Sequence, residues 1–309
     1  MSAFLTVAGK LVSLFIYILV GYFIRRFDVI SREFASGISR FLMRVTLPCL
    51  ILITFQTDYT SDRLLQAGQT YFFSVLAYAA SIAAGYLSFR LFRIDEKAKG
   101  VWVYSVVFPN QAFMGWPVIA AVFGDDALFY ATFANMAFAS FAYTYGVWLM
   151  RSTGTMKDKP HSFREDFLTP INIAILAGLL LFFTQLRIPV PVNNAVRGIA
   201  DLTTPLAMIF VGTILAGSPL RTILADRRVY LVSVLRLVFI PGIALLLLRP
   251  LGLQEFVLGA TVLSLAMPVA GFAAIYAGAY GNDVELASKF VSVSSLLSVF
   301  TIPIFALLL

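Results

Sequence analysis

The sequence predicts an all-α polytopic membrane protein of about ten transmembrane helices, built as two inverted five-helix repeats whose fourth and ninth helices are broken and cross. Three observations lead there. The 309 residues are 60% hydrophobic and only 13% charged, with a mean hydropathy of +0.88. Soluble domains keep about a quarter of their residues charged. The apolar runs reach the ~20 helical residues needed to cross about 30 Å of hydrocarbon. Runs such as "AILAGLLLFF" do not alternate, which removes the β-barrel. Finally, the chain matches itself at one constant shift, and two of its apolar runs are interrupted at their centres.

Taken in order, the apolar runs and their punctuation predict helices at 4–24, 34–56, 67–92, 99–123, 127–150, 168–185, 195–216, 228–249, 255–279 and 284–308. The first run is followed, not preceded, by its positive charges (Arg25, Arg26) and shows no small-residue cleavage site, so it is expected to be a retained helix. Alternate loops collect the cations. They hold Arg25, Arg26, Arg32 and Arg40; Arg90, Arg93, Lys97 and Lys99; Arg151, Lys157, Lys159 and Arg164; and Arg221, Arg227 and Arg228. The loops between them carry little positive charge. This bias places the basic loops in the cytoplasm and both termini outside, on the periplasmic or extracellular face of the cytoplasmic (inner) membrane. It also accounts for the net charge of +7 without a nucleic-acid partner.

A shift of 157 positions brings Pro48 onto Pro205, Thr46 onto Thr203, Arg40 onto Arg197, Gly21 onto Gly178 and Gly85 onto Gly242. It also sets "FGDDALFYATF" (Phe123–Phe133) over "YGNDVELASKF" (Tyr280–Phe290). Each half holds an odd number of helices, so the second enters the membrane upside down, an arrangement common in transporters. The implied divisions are a first repeat over 1–151, a cytoplasmic loop over 152–167 and an inverted repeat over 168–309.

The fourth helix contains "VVFPNQAFMGWPVIAAVFGDD" (Val106–Asp126). Pro109 removes a backbone donor and crowds the carbonyl of Ser105, and Pro117 does the same to Phe113. Between them Asn110–Trp116 is expected to carry amides and carbonyls that lipid cannot satisfy, a state tolerated only inside protein or beside a wet cavity. Asn110 and Gln111 can bond that backbone, and Gly115 permits another segment to approach. The ninth helix breaks at "SLAMPVAGFAAIY" (Ser264–Tyr276), where Met267 and Pro268 fall opposite Asn110 and Gln111. Two broken helices in matching positions mark a binding site at the membrane midplane. Their helical N-termini, each worth about half a positive charge, favour an anion.

"FPNQAFMGWPVIAAVFG" resembles the Asn-x-x-x-Met-Gly-x-Pro crossover of the auxin efflux carrier family, which includes plant auxin carriers and bacterial organic-acid permeases. "AMPVAGFAAIYAGAYGNDVELASKF", followed by "SLLSVFTIPIFALLL", resembles its C-terminal end. The resemblance implies ten helices with the fourth and ninth crossed, and a scaffold of the first, second, sixth and seventh. It also implies homodimers and elevator-type transport of small mono- or dicarboxylates. It assigns Asn110 to the substrate carboxylate and Pro268 to the second crossover. Two departures stand out. The loop Ser152–Phe167 is short, as in bacterial members, and the sixth helix begins Thr169-Pro170 in place of Asn-Pro, with Asn172 two residues on.

Other polar candidates are fewer. Arg236, in the middle of the eighth helix, is expected either to counter an anionic substrate or to meet a helix C-terminus. Asn135 either faces the crossing or bridges helices. Arg44 and Asp201 read as interface anchors, Lys289 as a snorkelling cation, Cys49 as a small packing residue, and Asp126 and Asp283 as helix caps. His161 is the only histidine, which excludes a multi-histidine metal centre, and no protease, lipase or ATP-binding motif occurs. The chain is therefore expected to be neither an enzyme nor a cofactor protein. The alternatives are a sodium-coupled symporter of the bile-acid type and, further off, a channel or receptor.

Overall fold

The computed structural model describes residues 2–156, 168–217 and 226–309, with side chains of residues 2–8 and 32 left aside. Lys157, Lys159, His161, Arg164 and Arg221 lie outside the described residues. The helices are α1 (Ser2–Arg26), α2 (Glu33–Thr54), α3 (Ser61–Leu91), α4a (Lys99–Val107) and α4b (Gln111–Phe123). Next come α5 (Ala127–Phe141, running on through Ala142–Gly146 and Val147–Thr153), α6 (Pro170–Thr184) and α7 (Val190–Ala216). The chain closes with α8 (Arg227–Leu251), α9a (Glu255–Leu265), α9b (Phe272–Tyr280) and α10 (Val284–Leu308). Among the described residues, five of these are long and apolar enough to cross a membrane by length and composition alone.

Boundaries follow the sequence except at two starts. Helix α3 begins six residues earlier than its apolar run, because the Thr60 hydroxyl accepts a hydrogen bond from Arg63 N at 3.1 Å and caps the polar first turn. Helix α7 begins at Val190, where a proline in its first turn needs no amide partner. At the other ends, Gly124 and Gly281 stop their helices at positive φ (84° and 74°). Asp283 then caps α10 by accepting from Leu286 N at 2.9 Å. Asp126 makes no such bond, so the expected cap there is not formed. At the start of α8, Arg228 lies beside Asp226 and holds its carboxyl below the usual carboxylate range.

The outside of the bundle is apolar: Leu246, Phe300 and Leu180 are well exposed, as lipid contact requires. Inside, α1 packs along α7 where Gly21 and Gly212 meet. A Cβ on Gly212 would stand 2.0 Å from the Ile18 carbonyl oxygen, and one on Gly21 2.0 Å from that of Ile209. Only glycine allows backbones this close. Helix α6 packs on α2 in the same manner, Gly178 leaving room for the Phe55 ring. Phe55 in turn meets Phe129 edge-on at 5.3 Å and Phe182 at 6.5 Å.

Four stretches widen to π-helix: Leu42–Thr46, Gln111–Gly115, Ala142–Gly146 and Leu235–Phe239. Three are followed two residues later by proline, at Pro48, Pro117 and Pro241. A proline ring collides with the carbonyl one turn back and offers it no amide. One wide turn moves that carbonyl aside, so the helix continues where it would otherwise break. Pro117 is therefore not a second break, and the expected unwound span Asn110–Trp116 shrinks to Phe108–Asn110.

Candidate functional site

The two broken helices cross through their own backbones. Asn110 N donates to Pro268 O at 2.7 Å and Ala270 N to Phe108 O at 3.0 Å, which makes a one-rung antiparallel bridge between Pro109 and Val269. In such a rung the facing residues do not bond each other, and their own amides point away. Pro109 has no amide to lose, so proline fits this position without cost. The amide of Val269 does need an acceptor, and the buried Ser294 hydroxyl of α10 supplies it at 3.0 Å.

The carbonyls released by the two breaks converge on one side chain. Arg236, fully buried in the wide turn of α8, donates from Nε to Met267 O (3.2 Å) and from Nη1 to Val106 O (3.0 Å) and Val107 O (2.9 Å). Its Nη2 also donates to Leu265 O. Of the two expectations for Arg236, the helix C-terminus is what it meets, and it does not line the cavity described next.

On the other side of the crossing lies a cavity of about 420 Å³. Its walls include Pro109, Asn110, Gln111, Ala112 and Phe113 of the first break, Ala270, Gly271 and Phe272 of the second, and Asn135 of α5. Residues of the first turns of α4b and α9b line it. A helix start leaves leading amides without a partner in a preceding turn, although Gln111 N already donates to Pro109 O (3.0 Å) and Ala273 N to Ala270 O (3.0 Å). It runs on to Arg25 at the end of α1, Ser36 in α2, Gly217 after α7 and Ser288 in α10. Among the described residues Arg25 is the only charged one in these walls; it pairs with Asp28 at 2.9 Å.

Three carboxamides look into the cavity. Asn110 and Asn135 are 8% and 6% exposed, and neither side chain has a hydrogen bond among the described residues. Gln111 donates through Nε2 to the Tyr78 hydroxyl at 2.9 Å, while its buried Oε1 has no partner. Buried polar groups are seldom left this way unless a ligand or water completes them. Among the other sequence candidates, Gly115 and Met267 touch each other behind the wall, a Cβ on the glycine coming to 3.3 Å from Met267 Cγ. Pro117 lies in α4b, Pro268 in the bridge, and Asn172 in the first turn of α6, where its amide donates to Thr169 Oγ1 at 3.2 Å. None of these five is among the described residues that line the cavity.

Sequence reasoning passed over Tyr78, Ser294 and the cavity-lining Ser288, Ser292 and Ser295. A signal for them was present. The small and polar residues Thr70, Ser74, Tyr78, Ser81, Gly85 and Ser88 fall on one face of α3, and all are buried. Ser288, Ser292 and Ser295 form a like stripe on α10.

A helical bundle of this apolarity, with two broken helices crossed beside a cavity that holds three carboxamides, is a multi-pass membrane protein with the layout of a carrier. Residues 6–306 match the family described as membrane transport protein, and the chain belongs to it: this is the auxin efflux carrier family of membrane transporters. The chain is similar to an uncharacterized transporter of Methanothermobacter thermautotrophicus, 29% identical over 306 residues and covering 96% of each chain. It is also similar to an uncharacterized transporter of Methanocaldococcus jannaschii, 23% identical over 303 residues, with 95% of this chain and 96% of the relative covered.

Proposed function

We propose that the protein is a secondary active transporter of a small organic anion, a mono- or dicarboxylate, working by elevator-type alternating access in the cytoplasmic membrane. One observation carries the substrate class: two asparagine side chains without a hydrogen bond among the described residues and two helical N-termini share a cavity whose one charged wall residue, among the described residues, is a cation. Amide N–H groups and helix N-termini bind carboxylates by donating to them. The volume lies in the ordinary range for small-molecule sites, about 300–1,000 Å³. Sodium-coupled sites of the alternative kind often use an acidic ligand, and no aspartate or glutamate lines the cavity among the described residues.

The elevator reading is supported by packing. Helices α1, α2, α6 and α7 contact one another as α1 on α7 and α6 on α2, pairs that the 157-residue shift exchanges. Gly21 and Gly178, which it also exchanges, both sit at the tight contacts. These four helices form the proposed scaffold and dimer-forming element, and α3–α5 with α8–α10 the proposed moving body. The cavity reaches the end of the bundle carrying Arg25, Arg93 and Arg228, which the positive-inside rule makes the proposed cytoplasmic end, with both termini outside.

Asn110→Ala tests this reading. A hydrogen bond to a charged group contributes about 1.5–3 kcal/mol, so affinity should fall about ten- to a hundredfold. The melting temperature should stay near wild type, because the bridge uses the Asn110 backbone and not its side chain. Binding of a panel of mono- and dicarboxylates to both purified proteins is the measurement. Unchanged affinity beside a collapsed melting temperature would place the site elsewhere.

A further inference from the structure

Arg236 has a buried charge and, among the described residues, no ion pair. Its four bonds all go to backbone carbonyls, two at the end of α4a and two at or just past the end of α9a. A helix C-terminus carries about half a negative charge. Two of them meeting at one point present about one full negative charge, and one guanidinium balances it. Half-helix C-termini and unwound carbonyls are also the groups that hold sodium ions in carriers with broken helices. Here five N–H donors in a planar fork occupy that cage.

We propose that Arg236 is the resident cation of the crossing: it fills the carbonyl cage that a bound alkali ion would otherwise fill. It thereby acts as a positioning residue for the cavity on the opposite side. Fixing the C-termini of α4a and α9a to α8 sets the depth at which Asn110 and the first turns of α4b and α9b face the cavity. It also neutralises the negative ends of the two dipoles and leaves the positive ends facing the substrate. The wide turn Leu235–Phe239, forced by Pro241, places Arg236 at the level of the crossing. A consequence is that the crossing needs no sodium ion for its integrity. The cage does not depend on which anion is carried; only the transport arm of the test rests on the carrier reading.

The test compares wild type, Arg236→Ala, Arg236→Met and Arg236→Lys in sodium, potassium and choline chloride at matched ionic strength. Melting temperature is read in detergent and carboxylate counterflow in proteoliposomes. Wild type should melt and transport alike in sodium and choline. Arg236→Ala and Arg236→Met should both melt lower and lose counterflow, since the methionine keeps the stem but none of the donors. Low-millimolar guanidinium, or sodium, should restore the melting temperature of Arg236→Ala saturably where choline does not, with counterflow recovering in parallel. A side chain that only filled space would be replaced by methionine and would gain nothing from a cation. Sodium-dependent melting of wild type, an Arg236→Met that matches wild type, or an Arg236→Ala that no cation restores would each overturn the proposal. If Arg236→Ala does not fold, Arg236→Lys against Arg236→Met decides: a lysine variant that melts well above the methionine variant and transports without sodium supports the proposal, and lysine and methionine variants that melt alike overturn it. Because the melting arms contain no substrate, their failure is separable from failure of the carboxylate assignment.

Discussion

Ser294→Ala removes one oxygen from the centre of the bundle and strands one proton. The Val269 amide donates to that oxygen at 3.0 Å, and both residues are fully buried. The other neighbouring acceptors at the crossing are already engaged: Phe108 O by Ala270 N, Pro268 O by Asn110 N, and Met267 O by Arg236. A buried donor left without a partner costs about 1–3 kcal/mol. At roughly 2–4 °C per kcal/mol, the melting temperature should fall by about 2–12 °C. Ser298→Ala is the internal control. Ser298 lies one turn on in the same helix and is equally buried, but its hydroxyl donates to Ser295 O at 2.7 Å, a carbonyl within its own helix. Losing that bond leaves no amide stranded and should cost less than about 1 kcal/mol. Differential scanning fluorimetry of the two purified variants reads the difference. If they melt alike, the Val269 amide is satisfied by another route, and the account of how the second crossover is held is wrong.

Three further outcomes are expected. Gly212→Leu should destabilise by about 1–3 kcal/mol or more, because its Cβ would overlap the Ile18 carbonyl and push α1 off α7; the corresponding change at Gly242, which has open space around it, should be near neutral, and equal melting temperatures would remove the close crossing. Arg25→Gln should raise KM several-fold at low ionic strength and flatten its salt dependence while kcat stays within about twofold, as expected for a charge at a cavity mouth; a fall in kcat alone would contradict this. The depressed Asp226 carboxyl contributes stability that is present above the usual pKa of 3.8 and lost as pH falls through its lower folded value. The melting temperatures of wild type and Asp226→Asn should therefore differ by a constant amount above that range and converge as the pH falls below about 3.8. A gap that stays constant well below that pH would rule the charge out as the cause.

Much of the framework was legible in the sequence because lipid leaves few choices. Apolar runs of spanning length had to be helices, and prolines beside Asn110 and Val269 had to mark places where helices stop. What Pro117 would do was not legible, since a proline can end a helix or be absorbed by one wide turn. Here the wide turn Gln111–Gly115 absorbs it, and α4b runs on through Pro117. Arg236 was visible as a costly charge with two destinations; choosing between them needed the positions of Val106, Leu265 and Met267, far apart in the chain. Ser294 was invisible for a different reason. A serine within an apolar helix is common, and its importance lies wholly in an amide 25 residues away.

The rung between Pro109 and Val269 is written in backbone atoms, and that shapes how such a protein can change over generations. Because the joint asks almost nothing of the side chains at Asn110 and Ala270, which line the cavity, those side chains are free to be selected for cargo. Residues that recognise a new solute can be exchanged beside the crossing without redesigning the crossing, so the joint is inherited while the menu is rewritten around it. An engineer seeking a carrier for a different acid would start at Asn110, Asn135 and Ser292, and would leave Arg236 and Ser294 alone.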